Sequence, residues 1–231
     1  SAHRALQNIN QILQLGLITE RVDRNVASNL SSLLPAKQVK HFAAIIEPER
    51  AGELMRMIEG YQGTLITMAA LKIMPYVFVR SLELRQAKWR DINLEEGMWK
   101  FTLTKTSTEH AVPLSKQAIS ILSNLYPYTK RHAYVFHSEA SSSKFLSENT
   151  LASALRKLGI PKEEMSVHGF RAMARTLCHE RLGIPPEVIE HQLGHKVPDA
   201  LGQAYNRTRF MDDRIQMMQD WADYLDKLRQ K

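Results

Sequence analysis

The stretch HGFRAMARTLCHERLG, residues 168–183, repeats apolar residues at helical spacing and ends on a glycine, so it predicts an amphipathic helix. His168 and Arg171 stand at positions i and i+3, on one face near the helix start, where main-chain amides also favour an anion. One phosphate could contact both side chains. The alternative is a surface arginine paired with Glu163 or Glu164 and a histidine that caps the helix. Taken alone, the two residues favour that alternative.

Helical patterns continue on both sides of this stretch, and strand patterns are few. Trp99, Phe101 and Leu103 alternate with polar residues in MWKFTLTKTSTEHAVPLS, which predicts a hairpin with Lys105 near its tip. AYVFH, residues 133–137, is a candidate further strand. The other periodic segments predict helices at residues 47–60, 63–74, 115–126, 147–159, 185–195 and 211–230. The sequence therefore predicts a mainly α protein with a small antiparallel β-sheet, an α+β fold.

Composition narrows the class of protein. The chain of 231 residues, 44% of them hydrophobic, is long enough for one large domain, or one domain and a fragment of another. Its 31 Lys and Arg against 24 Asp and Glu give a net charge of +7, which favours polyanionic partners. Lys72 and Pro75 interrupt the longest apolar stretch, residues 65–79, which predicts a core helix rather than a membrane span. The single cysteine, Cys178, fits a reducing compartment and a buried core position.

Arg80 and Lys105 each allow two interpretations. Arg80 precedes SLELRQAKWRDI, where the expected buried positions are Leu82, Leu84, Ala87 and Trp89. Glu83 is one turn from Arg80, so the pair is either an exposed ion pair worth a few tenths of a kcal/mol or a phosphate-binding arginine oriented by a carboxylate. Lys105 is either an ordinary turn lysine or a mobile cation that protonates a departing alkoxide.

HQLGH places His191 and His195 four residues apart, as in zinc-binding helices of metalloproteases. Gln192 stands where that motif has its glutamate base, and Gly194 disfavours a continuous helix, so a phosphate hydrogen bond from His195 is the better interpretation. Tyr205 follows ten residues later in GQAYNRT. A tyrosine hydroxyl, with a reference pKa of about 10, needs neighbouring cations to act as a nucleophile. A half-buried structural ring is the alternative.

From about residue 40 to its end the chain resembles the catalytic domain of tyrosine recombinases, particularly prophage integrases. The resemblance is carried by FVRSLELRQAKWRDI, KTSTEHAVPLS, HGFR, QLGHKVPDALGQAY and NRT, in this order. It implies the tyrosine recombinase catalytic-domain fold. The implied catalytic residues are Arg80, Lys105, His168, Arg171, His195 and Tyr205.

The chain departs from the family pattern in two places. Phe78 and Val79 stand where the family often has a glycine before its first arginine, and Ser107 stands where a glycine often follows the lysine and threonine. Neither change removes a reacting group. Lys100 and Lys116 are the alternatives to Lys105 as the catalytic lysine.

The resemblance also implies a mechanism and partners. Tyr205 is expected to attack a phosphate of double-stranded DNA at an attachment site, forming a 3′-phosphotyrosyl link and releasing a 5′-hydroxyl. No cofactor and no metal are expected, because the arginines can stabilise the phosphorane charge. A tetramer on DNA is expected through exchange of the C-terminal segment, with accessory DNA-bending or directionality factors as further candidate partners. A bacterial, cytoplasmic protein associated with the nucleoid is expected, without a membrane.

The predicted domains are the tail of a core-binding domain at residues 1–34, a linker at 35–40 and the catalytic domain at 41–231. The chain opens with Ser1 inside a helical pattern, so we expect it to be part of a longer protein. In the C-terminal segment a helical apolar stripe is predicted at Ile215, Met218, Trp221, Ala222, Leu225 and Leu228. Two other functions are considered, a catalytically silent DNA-binding regulator and relaxation of supercoils by a type IB topoisomerase.

Overall fold

The computed structural model of the chain describes residues 2–36, 42–104, 106–195 and 210–231. Lys105 and Tyr205 lie outside the described residues. The chain divides into two compact units, Ser1–His41 and Phe42–Lys231. The assignment of the first unit to a core-binding domain stays a prediction.

The first unit consists of helix α1, Ala2–Ile18, and a short 3₁₀ helix, Leu30–Leu33. Asn25 Nδ2 donates a hydrogen bond to Asn10 Oδ1 at 3.0 Å, which ties the segment after α1 back onto the helix. Helix α1 buries none of its residues.

The second unit holds the remaining helices and strands of the described residues. Its α-helices are α2 Pro48–Glu59, α3 Leu65–Val77, α4 Ser81–Arg85, α5 Lys116–Thr129, α6 Asn149–Lys157, α7 Gly169–Leu182, α8 Pro186–Gln192 and α9 Met211–Gln230, and a short 3₁₀ helix spans Trp89–Asp91. Strands β1 Ile92–Asn93, β2 Met98–Thr102 and β3 Glu109–Pro113 form an antiparallel sheet in that order, and β4 His137–Ser138 pairs with β5 Ser141–Phe145. The predicted mainly α fold with small antiparallel β-sheets is confirmed.

Helix α3 runs through the core, as its apolar sequence predicts. The Thr64 side chain accepts a hydrogen bond from the Thr67 amide and so caps the helix start. The helix buries most of its residues, and the Pro75 carbonyl accepts a 2.9 Å hydrogen bond from Trp221 Nε1 of α9.

In the part of the chain that the structure describes, no helix is long and apolar enough to span a membrane.

Two of the four positions predicted to be buried in and after helix α4 differ in the structure, since Leu82 is exposed and Trp89 is only partly buried. Leu84 and Ala87 are buried as expected, whereas Leu82 is 37% exposed and Glu83 is 3% exposed. The apolar side chain therefore faces solvent and the carboxylate faces inward. The reason is that Glu83 accepts hydrogen bonds from the main chain and side chain of Arg80.

Helix α9 packs its apolar stripe inside its own unit, mainly against α2. Five of the six predicted stripe residues are buried, but Ile215 is 47% exposed and Met217 is buried in addition. Arg214, also buried at 6% exposure, lies on the same face. Helix α9 thus contributes a charged group to the interior as well as apolar packing.

The predicted hairpin is formed by β2 and β3. Phe101 pairs with His110 across the two strands, and their rings meet edge to face at 5.7 Å. At the tip, the Ser107 amide donates to the Leu103 carbonyl at 2.9 Å. Ser107 has a φ of 54°, a conformation that glycine adopts most readily.

Candidate active site

Arg80 lies at the N-cap position of α4 and is held by Glu83. Its Nη1 donates to Glu83 Oε1 at 2.8 Å, and its main-chain amide donates to Glu83 Oε2 at 2.7 Å. The Glu83 side chain is 1% exposed and the Arg80 side chain 20%. The exposed ion pair of the first interpretation is therefore not what the structure shows. A buried carboxylate orients an arginine that solvent can still reach.

Arg171, in the first turn of α7, is a buried cation. It is 5% exposed. Its guanidinium donates to the carbonyls of Phe78 and Leu193, the latter at 2.8 Å, and to His195 Nε2 at 3.1 Å. Burial first, and the charge of Arg80 second, lower the pKa of Arg171 to about 10, so it remains protonated at neutral pH. The alternative pairing fails, because Glu164 binds Arg50 at 2.5 Å and Glu163 pairs with Lys162 at 3.8 Å.

The end of α3 provides one of these carbonyls. Phe78 ends the helix in the left-handed conformation, with a φ of 58°, and is 2% exposed. This conformation accompanies a sharp change of chain direction just before Arg80. The Phe78 carbonyl can therefore accept from Arg171, while Arg80, two residues later, begins α4.

His168 lies at the N-cap position of α7 but makes no side-chain capping bond. Its ring packs against Phe42 with 4.5 Å between centroids. Desolvation first, then the positive charges of Arg171 and Arg80, and last the interaction with His195, lower the pKa of His168. His168 is therefore neutral near pH 7 and able to accept a proton.

Gly169 is required for the close packing at this point. A Cβ at Gly169 would lie 2.3 Å from the carbonyl oxygen of Ala43. The same Ala43 carbonyl accepts hydrogen bonds from the Ser166 amide and hydroxyl. The segment 42–44 is thus held against the start of α7, beside His168.

His195 follows α8 and meets both a carboxylate and a guanidinium. Helix α8 ends at Gln192, three residues before the predicted bound, and Gly194 then turns the chain with a φ of 65°. The His195 ring interacts through Nδ1 with Glu190 Oε2 at 2.5 Å and through Nε2 with Arg171 at 3.1 Å. Glu190 also accepts from Arg175 Nε at 2.5 Å.

The zinc-helix interpretation gains no support from this arrangement. Both His195 ring nitrogens already have partners. Within the described ranges, no three His, Cys, Asp or Glu side chains come together in a group that could hold a metal ion.

Sequence reasoning missed three polar residues behind the site, of which two are buried and the third, His110, is partly buried. Arg214 Nε donates to Gln192 Oε1 at 2.9 Å, and its Nη2 donates to the carbonyl of Ala111 on β3. His110, also on β3, contacts the Gln192 carbonyl through Nε2 at 3.1 Å. These bonds join α8, α9 and strand β3 of the hairpin. The sequence did carry one signal for Arg214, because this charged residue falls on the apolar stripe of α9.

Burial fixes the charge of two of these groups. Desolvation lowers the pKa of Arg214 to about 10, which leaves it a cation at neutral pH. Desolvation, followed by the charge of Arg214, lowers the pKa of His110 to about 4. His110 is therefore neutral at pH 7.

Of the six predicted catalytic residues, the structure brings together Arg80, His168, Arg171 and His195, whereas Lys105 and Tyr205 lie outside the described residues. Lys100 is exposed on β2, next to Phe101. Because neighbouring side chains on a strand point to opposite faces, Lys100 points away from the face that holds Phe101 and His110. The four assembled groups form a basic pocket suited to a phosphate.

Solved structures show the same fold. A lambda integrase dimer bound to a COC′ core site has a TM-score of 0.61 and 16% identity, over 88% of this chain and 59% of that one. A lambda integrase tetramer bound to a Holliday junction has a TM-score of 0.60 and 14% identity, over 86% of this chain and 59% of that one. The fold is that of a tyrosine recombinase catalytic domain.

Sequence comparison then gives the family. Residues 44–211 match the phage integrase family. The integrase of Enterobacteria phage P4 is 33% identical over 246 residues, which cover 100% of this chain and 56% of the phage protein. The chain belongs to the phage integrase family, and it spans little more than half the length of this relative.

Proposed function

We propose that this chain cleaves and rejoins DNA strands at specific sites through a 3′-phosphotyrosyl intermediate, integrating or excising a mobile element. The observation that carries the proposal is the contact of Arg171 with His195 in a pocket shared with Arg80 and His168. A buried arginine that bonds carbonyls keeps its full positive charge for an incoming anion. Preorganised charges of this kind stabilise a transition state without reorganising during the reaction.

The proposed roles follow from exposure and charge state. Arg80 and Arg171 bind the non-bridging phosphate oxygens, and His195 donates a supporting hydrogen bond. His168, whose lowered pKa keeps it neutral, accepts the proton of Tyr205 as the tyrosine attacks. Lys105 protonates the departing 5′ oxygen. The roles of Tyr205 and Lys105 rest on the family resemblance.

Double-stranded DNA carrying attachment sites is the proposed partner. Binding is expected to weaken steeply with salt, because phosphate neutralisation releases counterions. Residues 1–34 would belong to a core-binding domain that adds DNA contacts, and accessory bending or directionality factors would assist. The proposed place of action is the bacterial nucleoid in the cytoplasm.

Assembly as a tetramer on DNA is proposed on the example of the lambda integrase tetramer on a Holliday junction. Exchange of the C-terminal segment remains part of the proposal. Helix α9 buries Trp221 and Leu225 in its own unit. Exchange would therefore move α9 as a whole into the equivalent groove of a neighbouring protomer.

Two other functions predict different products. A catalytically silent regulator would bind DNA without forming a covalent link. A type IB topoisomerase would relax supercoils without site preference. The orienting partners of Arg80 and His195 favour catalysis, since simple phosphate contacts do not need a fixed geometry.

Covalent capture tests the proposal. The protein is mixed with a pool of nicked duplexes that trap cleavage, the complexes are denatured, and any DNA-linked peptide is mapped by mass spectrometry. We expect a link at Tyr205 that disappears in Tyr205→Phe, together with enrichment of one sequence in the trapped DNA. Binding without an adduct would overturn catalysis by this chain in favour of the silent regulator. Adducts without sequence enrichment would favour the topoisomerase.

A further inference from the structure

The ring of His195 has a defined proton position in this structure. Its Nε2 faces Arg171 Nη2 at 3.1 Å. A guanidinium has donors only, so Nε2 must accept and carries no proton. The neutral ring therefore has its proton on Nδ1, which donates to Glu190 Oε2 at 2.5 Å.

Glu190 is itself held in place and ionised. Its Oε1 accepts from Arg175 Nε at 2.5 Å, and its side chain is 23% exposed. Partial burial acts to raise the pKa of Glu190, but the hydrogen bonds from His195 and Arg175 outweigh it and lower the pKa below its ordinary value. The carboxylate is therefore a fixed negative charge beside His195 at neutral pH.

This proton position does not match the role proposed for His195. Non-bridging phosphate oxygens only accept hydrogen bonds, so His195 can support a phosphate through Nε2 only if Nε2 bears a proton. The neutral ring offers a lone pair there instead. A second proton, taken from solvent, converts the ring to an imidazolium that donates through both nitrogens.

We propose that Glu190 is a positioning residue for His195: it keeps one proton on Nδ1, fixes the ring, and supplies the negative charge that lets Nε2 take up a solvent proton when a DNA phosphate binds. The inference rests on the proposed function and deepens it. DNA binding is then coupled to proton uptake at this ring, with Arg175 anchoring the carboxylate.

Among the described residues around His195, the positively charged groups oppose a proton on Nε2 and the carboxylates favour it. The positive charges come from Arg171 and Arg175 on α7 and from Arg80 at the start of α4. His168, at the N-cap position of α7, and His110 of β3, which lies beside Gly194, add two titratable rings, and Glu83 pairs with Arg80. Glu190 is the carboxylate that touches the ring. The phosphate supplies a second negative charge only when DNA is bound, which is why uptake accompanies binding.

The test variant is Glu190→Gln, which keeps the shape and removes the charge. If the amide oxygen accepts from Arg175, the amide NH₂ faces Nδ1 of His195 and must donate to it. The ring proton then moves to Nε2, where it meets the N–H of Arg171. Glu190→Asp keeps the charge on a shorter side chain and should retain the Nδ1-protonated ring in larger part.

Glu164→Gln is the matched control. Glu164 accepts from Arg50 Nε at 2.5 Å and its side chain is 30% exposed, close to the 2.5 Å bond and 23% exposure of Glu190. Hydrogen bonds to Glu164 also lower its pKa. Unlike Glu190, its ion-pair partner is Arg50 and not a histidine.

The first measurement is ¹⁵N NMR of the histidine rings without DNA, with His195 assigned from the signal lost in His195→Gln. We expect the Nδ1-protonated form in the wild type, in Glu164→Gln and, in larger part, in Glu190→Asp. Glu190→Gln should shift the ring toward the Nε2-protonated form. An unchanged ring form in Glu190→Gln would overturn the proposal.

The second measurement uses a duplex recovered from covalent capture. Calorimetry in buffers of different ionisation enthalpy gives the protons taken up on binding, which should be fewer for Glu190→Gln than for the wild type or Glu164→Gln. Where a carboxylate orients a reacting histidine, exchange for an amide can cost about 10⁴-fold in rate. His195 here donates a supporting bond, so we expect a loss of about 10–100-fold in adduct formation, partly restored by Glu190→Asp.

The outcomes separate the two proposals. Equal proton uptake in the wild type and Glu190→Gln would overturn the role of Glu190 even if cleavage is normal. No adduct from the wild type would overturn the proposed function, whereas the NMR result would still decide whether Glu190 fixes the His195 ring.

Discussion

Replacing Arg171 with alanine should remove strand cleavage and weaken the fold by a measurable amount. The guanidinium is 5% exposed and donates to the carbonyls of Phe78 and Leu193. Each buried carbonyl left without a donor costs about 1–3 kcal/mol. Part of this destabilisation is offset, because the variant no longer has to bury a charged group. Burial of that charge is already unfavourable in the wild type, where it lowers the pKa of Arg171 to about 10.

The net loss in the free energy of unfolding should be about 2 kcal/mol, from a total of about 5–15 kcal/mol for a typical protein. In a chain of this size that corresponds to a decrease in Tm of roughly 4–8 °C. The buried bonds of Arg171 account for this loss, and the protein should remain folded.

Cleavage should fall much further than stability. The variant loses a preorganised cation at the phosphate, which costs about 10²–10³-fold in rate, and His195 loses its Nε2 partner. The assay is the rate of covalent adduct formation on a trapped duplex, measured well below the Tm of each variant.

Leu122→Ala is the control for lost stability. Leu122 lies on α5 at 1% exposure, and such truncations cost about 3–5 kcal/mol. It should cleave at nearly the wild-type rate. The site assignment is refuted if Arg171→Ala cleaves at a rate near that of the wild type, or if Leu122→Ala loses as much activity as Arg171→Ala.

Two further predictions concern stability. Gly169→Ala should lower the free energy of unfolding by about 1–3 kcal/mol, because its Cβ would lie 2.3 Å from the Ala43 oxygen. Gly60→Ala is the control, since a Cβ there has its nearest contact at 3.6 Å and the φ is −79°. This control should be neutral or slightly stabilising. Equal urea midpoints would contradict the close approach at Gly169. The pKa of His110 is lowered from 6.5 to about 4, so its contribution to stability is present above pH 6.5 and lost as pH falls toward 4. Between pH 7 and pH 5 the free energy of unfolding should fall by about 2 kcal/mol through His110. If His110→Gln shows the same pH dependence of unfolding as the wild type, this assignment to His110 is wrong.

Helices and strands with a regular repeat of apolar residues were predictable from the sequence, whereas charged residues in the interior were not. The helix from His168 and the hairpin around Phe101 follow from repeating apolar positions, which reflect burial directly. Leu82 was expected inside, and Glu83 was expected either in an exposed ion pair or as the carboxylate that orients Arg80. Hydropathy cannot show that the main chain and side chain of Arg80 both bond the Glu83 carboxylate, which makes its burial acceptable.

The two departures from the family pattern also acquire a physical meaning. Phe78 and Ser107 stand where the family often has glycine, and both have a positive φ, 58° and 54°. The backbone therefore keeps the conformation that glycine would favour, at a cost of roughly 1–3 kcal/mol for each such residue. At Phe78 that cost is offset by a buried ring that packs edge to face on Trp221 at 6.0 Å.

The division of partners among the charged groups explains how the site keeps its positive charge. Arg171 and Arg214 are buried, yet both bond mainly to uncharged oxygens. A carboxylate bonded directly to Arg171 would stabilise it further, but it would offset part of the positive charge that attracts a phosphate. The carboxylates Glu83 and Glu190 instead fix the orientation of the more exposed Arg80 and His195. The cost of leaving Arg171 without a bonded carboxylate appears as its lowered pKa, and a bound DNA phosphate would supply the missing negative charge.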